Sequence, residues 1–428
     1  MTHVLFVTPY YPPEKAAPAI RISGIAQGLL KRGYQVTVLT TFPNFPSGVV
    51  APEYRGKVIT REVLDGVHVV RVWSYITPNK GFLRRILAQL SFGCIAPLLG
   101  WKHTGRPQVV VVESPPLFNA IGGRLLAWGK HCPFIFTVAD LWPDAAIELG
   151  VLRNPLFIRL ARWLERSTYQ KARFIWAVTA GIRGRLVASG IPAERVFLLT
   201  NGVDTTQFRP MPQAQARAEL GWDDRFTILY AGTHGLVYGL EILLDVAERF
   251  QDYPDMHIIF AGEGVTKADL MEQAHARQLR NVTFLDAQPH ERMPLLLNAA
   301  DVCPIPIRKL PIASITLPAK MFEIMACARP IVLGLDGEAR KLAEQDAGAA
   351  LYVEPENVDA LLSALLYLRA HPEMATALGE CGRAFVMEHF DRQHLVSILE
   401  ERIDALSGER NVVNAATAAP VDVTARSD

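Results

Sequence analysis

The stretch LPAKMFE carries the densest chemistry in the chain. Leu317, Pro318 and Ala319 lead into a helix with Lys320 in its first turn and Glu323 one turn on. A spacing of three puts both charges on one helical face. A lysine there can pair with phosphate, and a carboxylate can accept hydrogen bonds from ribose hydroxyls; without context the same two residues read as an ordinary surface ion pair. Two glycine turns add to the pattern. AGTHGLVYGLEILL sets Gly232, Thr233, His234, Gly235 and Gly239 between a strand and a helix, and GEGV sets Gly262 and Gly264 around Glu263 after the next strand. Backbone amides in such loops, together with a helix N-terminus, suit a phosphate. Glycines there let a ligand come close to the backbone. Neither turn is a G-x-G-x-x-G dinucleotide fingerprint, which disfavours a nicotinamide enzyme.

The first half offers fewer groups. VADLWPDAA places Asp140 at the carboxyl end of a strand and Asp144 near a helix start. Asp140 can position an acceptor hydroxyl or cap a helix. Arg21 follows the aromatic, proline-rich loop TPYYPPEKAAPAIR, which also holds Glu14 and Lys15. At a helix start it can face an anionic group. No His/Cys/Asp cluster has metal-ligand spacing, so no metal is expected. No Ser or Cys sits in a nucleophile elbow. Cys94, Cys132, Cys303, Cys327 and Cys381 are scattered, which fits reduced thiols in a cytoplasm.

These residues need strands that end at a common edge. His3–Thr8 is a buried strand by its apolar run, Arg21–Lys31 an amphipathic helix, and Val36–Thr40 the next strand, which makes a βαβ unit. Apolar runs at Val67–Trp73, Val109–Glu113, Phe134–Val138, Phe174–Val178 and Val196–Leu199 continue the rhythm. A second series follows at Phe226–Tyr230, His257–Ala261, Val282–Leu285, Asp301–Pro304, Ile331–Leu333 and Ala350–Val353. The expectation is an α/β chain of two doubly wound, Rossmann-like domains, 1–208 and 212–390, meeting at TNGVDTTQFRPMPQ. Ligands in such sheets bind at the carboxyl ends of the strands, hence in a cleft between the domains. Residues 408–428 lack periodicity and read as a structureless tail. The start, MTHVLFVTPYYPPEK, reads as a strand and not as a secretion signal. The length of 428 residues suits two or three domains.

Charge divides the same way. Residues 1–211 carry a net charge of +14 and residues 212–428 a net charge of −13. A basic half suggests an anionic partner. Gly81–Trp101 breaks the α/β pattern: Arg84 and Arg85 precede an apolar run ending at Trp101, with Lys102, His103 and Arg106 beyond and no acid inside. It is too short to span a bilayer. It reads either as a helix lying in a membrane interface or as a buried helix of the first domain. Nucleic-acid binding lacks a reading module.

With these stretches in hand, the chain resembles the retaining glycosyltransferases of family 4, with the GT-B fold, to about Leu406. The resemblance rests on PYYPPE…R, RGYQVTVLTTFPNFPSG, VADLWPDAA, TNGVDTTQFRP, YAGTHG, FAGEG, NVTFLDAQPHERMPLLLNAADVCPIP and LPAKMFEIMACARPIV. Its nearer likeness is to bacterial N-acetyl-L-fucosamine transferases of O-antigen and capsule assembly. That resemblance implies transfer of an N-acetylated 6-deoxyhexose from a UDP-sugar to an undecaprenyl-diphosphate-linked acceptor, with no cofactor, by a cytoplasmic protein attached to the inner face of the membrane. It implies that Glu323 binds the donor ribose as the second glutamate of the family's E-x7-E motif. Leu317, Pro318 and Ala319 would meet the donor through their amides, with Gly232 and Thr233 beside the diphosphate and Gly262 and Gly264 near the nucleotide. His234 and Tyr238 stand in the region where many members carry Arg and Lys, and Lys320 can supply part of that charge. Ile315 stands where the first glutamate would be. Arg21, Arg84, Arg85 and Trp101 fall to the acceptor and the membrane. The helix at about 391–407 would pack back on the first domain. The competing expectations are a UDP-sugar 2-epimerase of the same fold and a non-catalytic scaffold of a polysaccharide assembly complex.

Overall fold

The computed structural model describes residues 1–14, 16–45, 47–78, 82–148, 150, 152–250 and 253–418. Lys15, Gly81 and residues 419–428, which enter the sequence reading, lie outside them.

The first sheet is built from β1 (His3–Val7), β2 (Gln35–Thr41), β3 (Ile59–Leu64), β4 (Val67–Val72), β5 (Val109–Ser114), β6 (Phe134–Val138), β7 (Phe174–Ala177) and β8 (Val196–Leu198). Its order is β3-β4-β2-β1-β5-β6-β7-β8. All neighbours are parallel except β3 and β4, a hairpin whose Asp65 and Gly66 both take positive φ. Such a turn matches the twist of its strands. The strand β3 was not expected from sequence, because Arg61, Glu62 and their neighbours leave it half exposed at the sheet edge. The central strands are mainly apolar: Phe6 sits between Val38 on β2 and Val111 on β5. Continuous apolar runs are what a sheet covered on both faces requires.

The second domain holds β9 (Phe226–Ala231), β10 (Met256–Ala261), β11 (Val282–Leu285), β12 (Cys303–Pro306), β13 (Ile331–Gly334) and β14 (Ala350–Tyr352). The orders β11-β10-β9 and β12-β13-β14 join where Ile228 bridges Val302 and the Leu229 amide donates to the Val302 carbonyl at 3.0 Å. Strand β12 begins two residues later than the apolar run suggests. Asp301 is spent before it, its carboxylate accepting from the Thr227 amide at 2.6 Å and pairing with Arg217. In both domains the strand order reverses beside the first strand, at β1/β5 and at β9/β12. Doubly wound sheets open a ligand crevice at such a point.

The chain crosses between domains twice. Beside the linker, the Val203 amide donates to the Phe390 carbonyl at 3.0 Å and the Arg392 amide to the Val203 carbonyl at 2.9 Å. A helix, Arg392–Ala418, then returns to the first domain and buries Leu395, Val396, Leu399, Ile403 and Leu406 in its core. Gly28 leaves room for it: a Cβ there would lie 2.5 Å from Val396 Cγ2. The helix also corrects the tail reading, since it continues through 408–418. Residues 409–418 contain neither Gly nor Pro, so a helix nucleated on its packed turns propagates.

The segment after Gly81 forms the helix Phe82–Gly100. One side is held in the first domain. Phe92 and Ala96 are buried, and a Cβ at Gly93 would lie 2.3 Å from the Phe118 carbonyl of the next helix. Leu83, Leu87 and Leu98 face outward. Among the described residues no helix is long and apolar enough to cross a membrane.

Candidate active site

Loops at the carboxyl ends of the two sheets face each other. Glu148, after β6, accepts from the Ile312 amide at 2.9 Å. Thr179, after β7, donates its hydroxyl to the Ile315 carbonyl at 2.8 Å. Glu338, after β13, accepts from the Ala180 and Gly181 amides at 2.7 and 2.6 Å, so a carboxylate of one domain satisfies the orphan amides of a helix of the other. Ile315 packs on Gly181, where a Cβ would lie 2.4 Å from its Cγ2. The position of the missing glutamate is therefore an apolar contact between domains.

The second domain's wall is built around Lys320. Its helix, Ala319–Ala326, starts after Pro318 and has no side-chain cap, so its first amides stay open to an anion. Leu317 and Pro318 are buried and set the approach. The Lys320 ammonium lies 3.8 Å from the centroid of the Tyr230 ring and 4.6 Å from that of Tyr238, beneath Gly232. It is shut off from solvent and donates no hydrogen bond. Burial pushes its pKa down to about 7, opposed by the charge of Glu323. Ring faces attract a cation but do not satisfy its three donors.

Glu323, one turn on, accepts from His290 Nε2 at 3.0 Å. His290 rests in turn against Phe208. Of His290 and the two tyrosines, Tyr238 is named for the site from sequence, while His290 and Tyr230 are not. No local sequence period pairs Tyr230 with Tyr238; the turn after β9 brings their ring centroids to 6.0 Å.

The glycine turns pack against each other. Gly262 and Gly264 have φ of 153° and 159°. A Cβ at Gly262 would lie 1.9 Å from the Gly232 carbonyl oxygen, and one at Gly264 2.2 Å from the His234 carbonyl oxygen. The close approach is between the two loops themselves. They are tied by the His234 amide to the Glu263 carbonyl at 2.8 Å and the Thr266 amide to the His234 carbonyl at 3.1 Å. The His234 ring is buried with neither nitrogen hydrogen-bonded. Burial, with Lys267 and Lys320 nearby, lowers its pKa to about 4, so it is neutral at pH 7. Thr233 stands exposed on the rim. Buried polar groups are normally satisfied, and the Lys320 ammonium and the His234 ring are two exceptions on this wall.

On the opposite wall, Asp140 opens to the cleft at the end of β6. Its hemmed position raises its pKa, and the Glu148 carboxylate adds to the rise. Arg21 does not stand where the sequence placed it. Its helix begins at Ala17, so Arg21 lies one turn inside, buried in an ion pair with Glu113 on β5 and donating to Asn201 at 2.6 Å. It is not presented to an acceptor. Arg84 and Arg85 are exposed, while Trp101 lies at the far end of the same helix, its ring 5.0 Å from the Lys130 ammonium. Among the described residues no three His, Cys, Asp or Glu side chains gather as metal ligands would.

Two Rossmann-like domains facing across a cleft define the GT-B class of glycosyltransferases. Residues 17–202 match the family described as "Glycosyl transferase 4-like domain" and residues 212–385 that described as "Glycosyl transferases group 1". The chain belongs to this family and is a glycosyltransferase of hexosyltransferase type. It is 29% identical over 405 residues to the "Putative colanic acid biosynthesis glycosyl transferase WcaI" of Escherichia coli (strain K12), covering 91% of this chain and 97% of that one. Its fold matches sucrose-phosphate synthase from Thermosynechococcus elongatus with a TM-score of 0.75, at 18% identity over 96% of this chain and 100% of that one. It matches Anabaena HepE in complex with UDP-glucose with a TM-score of 0.69, at 16% identity over 95% of this chain and 100% of that one.

Proposed function

We propose that the chain transfers a sugar, an N-acetylated 6-deoxyhexose, from a UDP-sugar to an undecaprenyl-diphosphate-linked acceptor in bacterial surface polysaccharide biosynthesis, with retention and without a metal. The observation that carries this reading is the buried, unbonded Lys320 ammonium beside an uncapped helix start, with Glu323 one turn away. That arrangement suits a diphosphate followed by a ribose. The likeness to a colanic acid enzyme supports the polysaccharide setting, and the likeness to a fold that holds UDP-glucose supports the donor.

In this reading Lys320 and the amides near Gly232, Thr233, Ala319 and Lys320 meet the diphosphate. Glu323, held by His290, accepts from the ribose hydroxyls, and Asp140 orients the acceptor hydroxyl. The bond from the anomeric carbon to the diphosphate breaks. The acceptor oxygen bonds to that carbon on the same face, and the acceptor proton passes to the departing diphosphate oxygen. The protein orients both substrates and stabilises charge on the leaving group. The test is release of UDP from a panel of UDP-sugars, with and without undecaprenyl-diphosphate-linked acceptors, comparing wild type with Glu323→Ala. Acceptor-dependent release that the substitution removes is the expected result. No turnover together with no UDP binding by calorimetry would overturn the reading in favour of the scaffold.

A further inference from the structure

A second concavity lies on the outer helical layer of the first domain. Helices Phe82–Gly100, Asn119–Gly129 and Pro155–Lys171 enclose a trough of about 1250 Å³, lined mainly by apolar side chains, with Arg124, Lys171 and Arg195 also on its wall. Pockets for small ligands are usually about 300–1,000 Å³. Its direction follows from its lining. One end is formed by Leu83, Ile86, Phe118 and Trp142, with the last two rings edge to face at 5.4 Å. Trp142 is two residues from Asp140, so this end opens at the cleft. The other end reaches Pro133 and Arg195, at the amino ends of β6 and β8. The trough therefore runs from the acceptor wall of the cleft to the opposite edge of the domain. On its lips Trp128 and Trp163 are 79% and 65% exposed. Monomeric proteins rarely leave such a patch uncovered.

Charge narrows the occupant. The three helices carry seven Lys and Arg and one acid, Glu165. At the cleft end Arg84 and Arg85 are exposed, and Arg85 is within electrostatic reach of the Tyr10 phenol, on the loop after β1. A mainly apolar channel with Arg84 and Arg85 beside its cleft mouth, flanking the lining residues Leu83 and Ile86, fits an amphiphile with a long hydrocarbon chain and an anionic head. We propose that the trough holds the hydrocarbon chain of the lipid-linked acceptor, with its diphosphate beside Arg84 and Arg85 and its sugar toward Asp140. The inference rests on the lipid-linked acceptor proposed above. It assigns the chain to a defined channel and brings in Pro155–Lys171 through Phe157, Leu160 and Trp163.

The test uses the full chain without donor. Undecaprenyl diphosphate and the much shorter farnesyl diphosphate, in the same neutral detergent, are titrated by calorimetry. Wild type is expected to bind the long chain at least about tenfold more tightly. Leu160→Glu and Trp128→Glu change exposed positions, so the fold is retained. Each is expected to bring the two affinities within about twofold while UDP affinity stays unchanged. Equal binding of the two chain lengths by wild type overturns the proposal, as does a preference that survives both substitutions. Substitutions that abolish sedimentation with phosphatidylglycerol vesicles yet leave the preference intact would make the face a bilayer dock and overturn it. A dimer by light scattering that the substitutions break, without lipid binding, would make a second copy the occupant and overturn it. Loss of UDP binding by wild type would sink the transferase reading and leave the lipid titration readable.

Discussion

At the carboxyl edge of β9 and β10, two loops lie so close that only glycine fits at 262 and 264, and the charge they enclose is buried without a partner. At the carboxyl edge of β5 and β6 the loops carry Phe118, Asp140 and Trp142, and they open onto a trough and the solvent. The two sheets share their central strand order, but these two pairs of strands lie on opposite sides of the point where that order reverses. Loop residues finish the two edges differently. The second domain is finished with tightly packed loops over a buried ammonium, which the proposed function makes a donor cradle, and the first with an open, mainly apolar wall flanked by cations. One fold used twice supports two binding chemistries because function lies in the grafted site.

The contrast can be broken at the cradle first. Glu323→Ala should lower kcat/KM by about a thousandfold, because a site built to bond hydroxyls loses its acceptor and leaves His290 unmatched. Initial rates with saturating acceptor measure it, and a loss under tenfold would remove Glu323 from the donor site. Gly262→Ala should destabilise the protein by about 3 kcal/mol in urea denaturation, since its Cβ meets backbone. Gly232→Ala meets only the tip of Lys320, so it should cost less stability and more UDP affinity. Equal effects would dissolve the distinction between loop packing and ligand cradle.

Lys320→Met should weaken UDP binding by about tenfold. Its sign with pH is opposite to that of a surface lysine. Between about 7 and the usual 10.5 the unfolded chain holds a proton that the folded one lacks. This group therefore makes stability rise with pH through that window, with the burial penalty fully present below it. A diphosphate favours the charged form, so UDP binding at pH 8 should take up a proton in wild type and not in Lys320→Met. Calorimetry in buffers of different ionisation enthalpy reads that uptake. The smallest effect belongs to the clasp between the walls. Glu338→Gln should cost about 1 kcal/mol of stability and increase the radius of gyration of the free protein in solution scattering.

Much of the framework was legible because parallel strands buried on both faces are apolar runs, and thirteen such runs stood out in sequence. The edge strand β3 was not, since Arg61 and Glu62 interrupt its pattern. Lys320, Glu323 and the glycine turns were legible from type and spacing. Three things were not, because each depends on residues far apart in sequence. The tyrosine pair under Gly232 needs the turn that folds Tyr238 back over β9. The bond from His290 to Glu323 joins a loop to a helix 33 residues later. Arg21 looked like a residue at a helix start, and only its pairing with Glu113, 92 residues on, turns it inward.

The return of the last helix bears on how the protein is made. The first domain's core includes Leu395, Val396, Leu399, Ile403 and Leu406. A ribosome that has released the first 208 residues has therefore released a domain with an uncovered apolar face. That face waits while the entire second domain is synthesised. Domains of most proteins mature in order of synthesis. Here the first to emerge is the last to be completed, and a chain stopped short of residue 392 would leave both the nascent domain and its chaperones without the piece that closes it.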